Sequence, residues 1–110
     1  MYEYAARVKK IVDADTLDLA IDLGLGVWID QRVRLWGINA PERFTTEGKA
    51  ATAWLTEQLA PHDVITVRTL KDRQEKFGRY LALLFLPDDQ ISLNDELVVK
   101  GHAVEYMRDR

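Results

Sequence analysis

Between Thr16 and Leu23 the chain alternates strictly, with Leu17, Leu19, Ile21 and Leu23 on one face and Thr16, Asp18 and Asp22 on the other. A period of two belongs to an extended strand with one side in a core and the other in water. Tyr4, Ala6 and Val8 alternate with Glu3, Arg7 and Lys9 in the same way, and Asp13-Ala14-Asp15 separates the two runs as a turn. Gly24-Leu25-Gly26 lacks the third glycine and following helix of a dinucleotide loop, so it reads as a hairpin turn leading into a third strand, Val27 to Ile38. Three strands joined by short turns form an antiparallel meander.

The period then changes. Ala51, Trp54, Leu55 and Leu59 share one helical face, Thr45 or Thr46 with Glu47 supplies a start signal, and Pro61 lies just past the end. Val64 to Leu70 and Tyr80 to Leu86 predict two further strands, the second apolar on both faces, with the charged loop Lys71 to Lys76 between them. Ser92, Asp95 and Gly101 frame a short helix through Leu97 and Val98, and Ala103 to Met107 is a candidate last strand. The expectation is a single α+β, mainly β domain over residues 1–110. A strongly twisted five-stranded sheet hides its edges by closing, which predicts a five-stranded OB-type barrel with two helices. That fold carries binders and enzymes alike, so it assigns no function.

Composition narrows the picture. The 110 residues, 47% apolar and 30% charged, are enough for one core without staples. With no cysteine, disulfides and thiolate metal sites are excluded. A net charge of −3 argues against a surface coated in base for nonspecific nucleic-acid binding, so any polyanion site must be local. No stretch has the apolar core of a secretory signal or the roughly 20 apolar residues of a membrane span, and the expected location is cytoplasmic, with no membrane partner.

Several residues carry candidate chemistry. Arg34 shares a strand face with Arg32, opposite Val33 and Leu35. A guanidinium there is either solvated or salt-bridged, or is a planar fork for phosphate oxygens, and the same choice holds for Arg79. Asp15 and Asn39 are ordinary turn residues taken singly, and Glu42 after Pro41 suits the approach to a helix. Lys71, Arg73 and Lys76 beside Arg79 form the dense basic patch, with Phe77 and Tyr80 placing rings that could stack on bases or simply border a solvated loop. His62 and His102 have no second ligand at metal spacing, and Trp28, Trp36 and Trp54 are most simply packing residues.

Taken in order, these motifs change the balance. Asp13-Ala14-Asp15-Thr16, Arg34 with Asn39-Ala40-Pro41-Glu42, Lys76-Phe77-Gly78-Arg79, and Asn94-Asp95-Glu96-Leu97-Val98 with Gly101-His102-Ala103 together resemble the staphylococcal nuclease (thermonuclease-like) family, over about Val8 to Ala103. The resemblance implies an OB-type barrel and a calcium-dependent phosphodiesterase acting on DNA or RNA with little sequence preference and leaving 3′-phosphates. It implies Asp15 as a calcium-ligating aspartate, Arg34 and Arg79 as phosphate-binding arginines, and Glu42 as the glutamate that orients or activates water. Asn39 stands where the family has a second calcium-ligating aspartate, and Ala40 where a threonine lends its carbonyl. Lys71, Arg73, Lys76, Phe77 and Tyr80 fall at the border of the substrate groove.

Two departures shape the expectations. Asn39 removes one negative charge, so calcium should bind weakly, toward about 10⁻⁴–10⁻³ M, or another divalent ion should serve. The sequence stops at Arg110, before the third helix that the resemblance implies, which makes cover by a homodimer partner an expectation. The alternative activity is a catalytically weak or inactive nuclease-like module that binds nucleic acid.

Overall fold

The computed structural model describes residues 2–74 and 79–108, with the side chains of all of these but 71–74. The chain runs β1 (Tyr2–Asp13), β2 (Thr16–Gly24), β3 (Val27–Leu35), β4 (Ile38–Asn39), α1 (Thr46–Leu59), β5 (Ile65–Gln74), β6 (Tyr80–Phe85), α2 (Leu93–Val99) and β7 (Val104–Glu105). β1, β2 and β3 form the predicted antiparallel meander. β5 pairs antiparallel with both β1 and β6, and β6 lies parallel against β3 through Val33–Leu35 and Tyr80–Ala82. The result is a closed five-stranded barrel in the order β1-β2-β3-β6-β5.

Alternation makes the core. Leu17, Leu19, Ile21, Val33, Leu35, Val67 and Leu84 are all buried, and their sequence neighbours on the other face include Asp18, Asp22, Arg32, Arg34 and Arg68. α1 starts where Thr45 accepts a hydrogen bond from the Gly48 amide, and it buries Ala51, Leu55 and Leu59, spaced four apart on one stripe. α2 starts on the Ser92 hydroxyl and buries Leu93, Asn94 and Leu97. At the β2–β3 turn Leu25 (φ +57°) and Gly26 (φ +76°) are both left-handed, the backbone that a two-residue hairpin needs to follow strand twist.

Asn94 locks the parallel seam. It is fully buried; its Oδ1 accepts from the Leu84 amide (3.1 Å), and its Nδ2 donates to the Trp36 (2.9 Å) and Ala82 (3.0 Å) carbonyls. The Ala82 carbonyl also accepts from the Trp36 amide at 2.9 Å, so the Asn94 side chain ties the segment leaving β3 to β6 beside the last backbone bond between them.

The structure corrects three sequence expectations. β3 ends at Leu35 rather than Ile38, because the chain turns through Gly37 at φ +81°, where a Cβ would meet Arg108 Nε at 2.6 Å. It resumes as β4, which pairs with β7 in a second small sheet, so the last strand is only Val104–Glu105. β5 continues past Leu70 to Gln74 across a register shift against β6, so Lys71 and Arg73 lie on a strand and not in a loop. Within Asp13-Ala14-Asp15, Ala14 has no positive φ and is fully buried in the core. Among the described residues no helix is long and apolar enough to cross a membrane.

Candidate active site

The β1–β2 turn and the end of β3 meet because Thr16 stands opposite Arg34 in the ladder and the Leu35 amide donates to the Asp15 carbonyl at 2.8 Å. This brings the side chain of Arg34 across to Asp15, with Nη1 3.3 Å from Oδ2, and both side chains are close to nine-tenths buried (13% and 10% exposed). The same guanidinium reaches Asn39 Oδ1 through Nη2 at 3.4 Å and the Leu35 carbonyl through Nη1 at 3.3 Å. The Tyr106 ring lies 5.8 Å from Arg34 Cζ. Asp15 is shared as well: Oδ1 accepts from the Thr16 hydroxyl (3.1 Å) and Oδ2 from the Ala40 amide (2.8 Å). One guanidinium and one carboxylate therefore organise the turn, the strand end and the β4 segment together.

Ala40, Pro41, Glu42 and Arg43 then lead to α1. The Arg43 amide donates to Asp13 Oδ1 at 2.9 Å, and the Glu42 carbonyl accepts from both the amide (3.0 Å) and the hydroxyl (2.8 Å) of Thr45. Glu42 itself is exposed. Arg79 immediately precedes β6, half-buried, and Leu81 two residues on is the ladder partner of Arg34.

Of the predicted residues, the structure brings Asp15, Arg34, Asn39 and Ala40 into direct contact and hangs Glu42 from the same segment. Tyr80 is the ladder partner of Val33 and lines a cavity of about 490 Å³ with Tyr2, Tyr4 and Gln31. Lys71 and Arg73 lie on β5 with side chains outside those described, and Lys76 and Phe77 lie outside the described residues. Two residues at the site lie outside the predicted set. Tyr106 stands beside Arg34 and left no signal beyond an aromatic near the end of the chain. Gly48 left one, a glycine in the first turn of a helix otherwise rich in helix formers.

The donor set suits a hard divalent ion in kind: the Asp15 carboxylate, the Asn39 amide oxygen and the Ala40 backbone carbonyl are all oxygens. Only Asp15 carries formal charge, and among the described residues no three of histidine, cysteine, aspartate and glutamate gather as metal ligands. The chemistry fits such an ion, and the charge inventory fits a loose hold.

A sequence profile described as staphylococcal nuclease homologue matches residues 32–110. Endonuclease YhcR of Bacillus subtilis is 30% identical over 94% of this chain, and the Thermonuclease of Staphylococcus intermedius is 33% identical over 87%. An uncharacterized endonuclease of Escherichia coli O157:H7 is 30% identical over 91%. The matched regions cover 9%, 56% and 60% of those three proteins, so this chain corresponds to only part of each.

Proposed function

The chain belongs to the staphylococcal nuclease family, and from that premise we propose that it is a nuclease, hydrolysing phosphodiester bonds of DNA or RNA with little sequence preference. The observation that carries this reading is the contact of the buried Arg34 with Asp15 and Asn39, with Glu42 on the short segment that follows, pinned at its ends by Asp15 and Asp13.

A phosphodiester repels a nucleophile by its own charge, and more negative charge builds on its oxygens as the fifth bond forms. Arg34 and Arg79, fixed before substrate arrives, offer donors to those oxygens, and losing one such contact costs on the order of 10²–10³ in rate. Glu42 accepts a proton from water or aligns it for attack in line with the leaving oxygen. The water oxygen bonds to phosphorus, the bond to the 5′ oxygen breaks, and that oxygen takes up a proton, leaving a 3′-phosphate and a 5′-hydroxyl. Asp15, Asn39 and the Ala40 carbonyl would hold a divalent ion, calcium or another, that adds positive charge beside the phosphate when bound. The single charged ligand favours a second reading, a nuclease-like module that binds nucleic acid with weak or no cleavage.

Cleavage of single-stranded DNA and RNA with calcium, magnesium, manganese or chelator, beside Glu42→Gln, tests the proposal. Metal-dependent cleavage lost in the variant is expected, with 3′-phosphate ends on the products. Binding without cleavage in every metal would give the second reading instead.

A further inference from the structure

The segment Ala40–Arg43 is held from three directions. Its first amide donates to Asp15 and its last to Asp13, the two aspartates of one turn. Its middle rests on α1: the Glu42 carbonyl takes the Thr45 hydroxyl, and that hydroxyl in turn accepts from the Gly48 amide at 2.9 Å. Gly48 is buried directly beneath this carbonyl. A Cβ placed on it would lie 1.8 Å from the Glu42 carbonyl oxygen, 2.5 Å from the carbonyl carbon and 3.0 Å from Arg43 Cα. These are backbone atoms without a rotamer to change, so any side chain at 48 must push Glu42 away. Glycine disfavours a helix interior, and its presence in the first turn of α1 is explained by this approach.

We propose that Gly48 and Asp13 are positioning residues that seat Glu42, fixing the backbone that carries its carboxylate. The inference rests on the reading of Glu42 as the residue that aligns or activates water. The seat costs nothing at the moment of reaction, because its hydrogen bonds already exist in the folded protein. A displacement of about 1 Å at such a group can cost on the order of 10²-fold in rate.

Gly48→Ala, Asp13→Ala and Asp13→Asn are compared with the unsubstituted protein in kcat, KM, Tm and the amide proton–nitrogen spectrum. Gly48→Ala should lower kcat by about 10²-fold with KM unchanged, and should shift the Glu42 and Arg43 amides while those of β1 and β2 stay in place. Asp13→Asn keeps an oxygen to accept from the Arg43 amide and should retain most of the rate, whereas Asp13→Ala should not. Unchanged kcat in folded Gly48→Ala overturns the proposal, as does Asp13→Asn falling as far as Asp13→Ala, since Asp13 would then act through its charge. If Gly48→Ala does not fold, the two Asp13 variants decide. If the unsubstituted protein does not cleave, the functional reading fails separately, and the amide spectrum of Gly48→Ala judges the seat: unmoved Glu42 and Arg43 amides overturn it.

Discussion

Arg32 and Arg34 leave the same face of β3 two positions apart, and each meets an aspartate of the β1–β2 region, yet the two pairs are built in opposite ways. Arg32 and Asp18 are directly opposed in the ladder and meet as a two-pronged pair at 2.7 and 3.1 Å, with half of the arginine side chain in solvent. Arg34 and Asp15 are far more buried and less well joined, at 3.3 Å, and each divides itself among other partners. Good geometry in water contributes little, because solvent and salt screen it. Burial without close geometry costs desolvation that the attraction does not fully return. An arrangement of the second kind is poorly explained by stability, and suits a site whose groups exchange partners when substrate enters.

The largest effect expected from breaking this contrast is on rate. Arg34→Ala should lower kcat/KM by about 10²–10³, measured on single-stranded DNA, while Arg32→Ala leaves it unchanged. Equal losses from both would mean that the seam acts as a general basic surface and the contrast is empty. A smaller effect comes from sharpening the inner site. Asn39→Asp restores a second negative charge beside Asp15 and should tighten calcium binding by about tenfold in calorimetry; no gain would remove Asn39 from the ligand set.

The smallest effect belongs to the outer pair. The hydrogen bond from Arg32 holds the Asp18 carboxyl below its usual value of 3.8, against an opposing push from desolvation. A lowered folded pKa stabilises the fold above the unfolded pKa, and that contribution is lost as pH falls through the folded value. The Tm difference between the unsubstituted protein and Asp18→Asn should therefore be small at neutral pH, and should shrink further in acid below 3.8 and in high salt. A difference that grows in acid would contradict the assignment.

What the sequence disclosed, and what it hid, follows the range of the interactions. The meander and α1 were legible because alternation at Leu17, Leu19 and Ile21, and the fourfold spacing of Ala51, Leu55 and Leu59, are local records of which side faces the core. The left-handed turn at Leu25-Gly26 was legible from its glycines. The end of β3 was not, since Leu35 terminates it through Gly37 and the packing of Arg108 from the far end of the chain. The extension of β5 to Gln74 was hidden for a similar reason: Lys71 and Arg73 look like loop residues, and only pairing with β6 makes them strand. In the site, the order of motifs named Asp15, Arg34, Asn39 and Glu42, but it could not say that Arg34 spans Asp15 and Asn39 at once, nor that a helical glycine lies beneath Glu42.

The parallel seam between β3 and β6 has a consequence in time. It spans only Val33–Leu35 and Tyr80–Ala82, segments separated in the chain by α1 and β5, so its loop-closure entropy must be met before its few backbone bonds and the buried Asn94 can repay it. The meander and α1 form from near neighbours and can precede it. Arg34 meets the strand that follows Arg79 only when that long-range contact is made. A nascent or partly unfolded chain therefore lacks that contact, and the barrel closes over the Arg34 end of β3 only once β6 has docked.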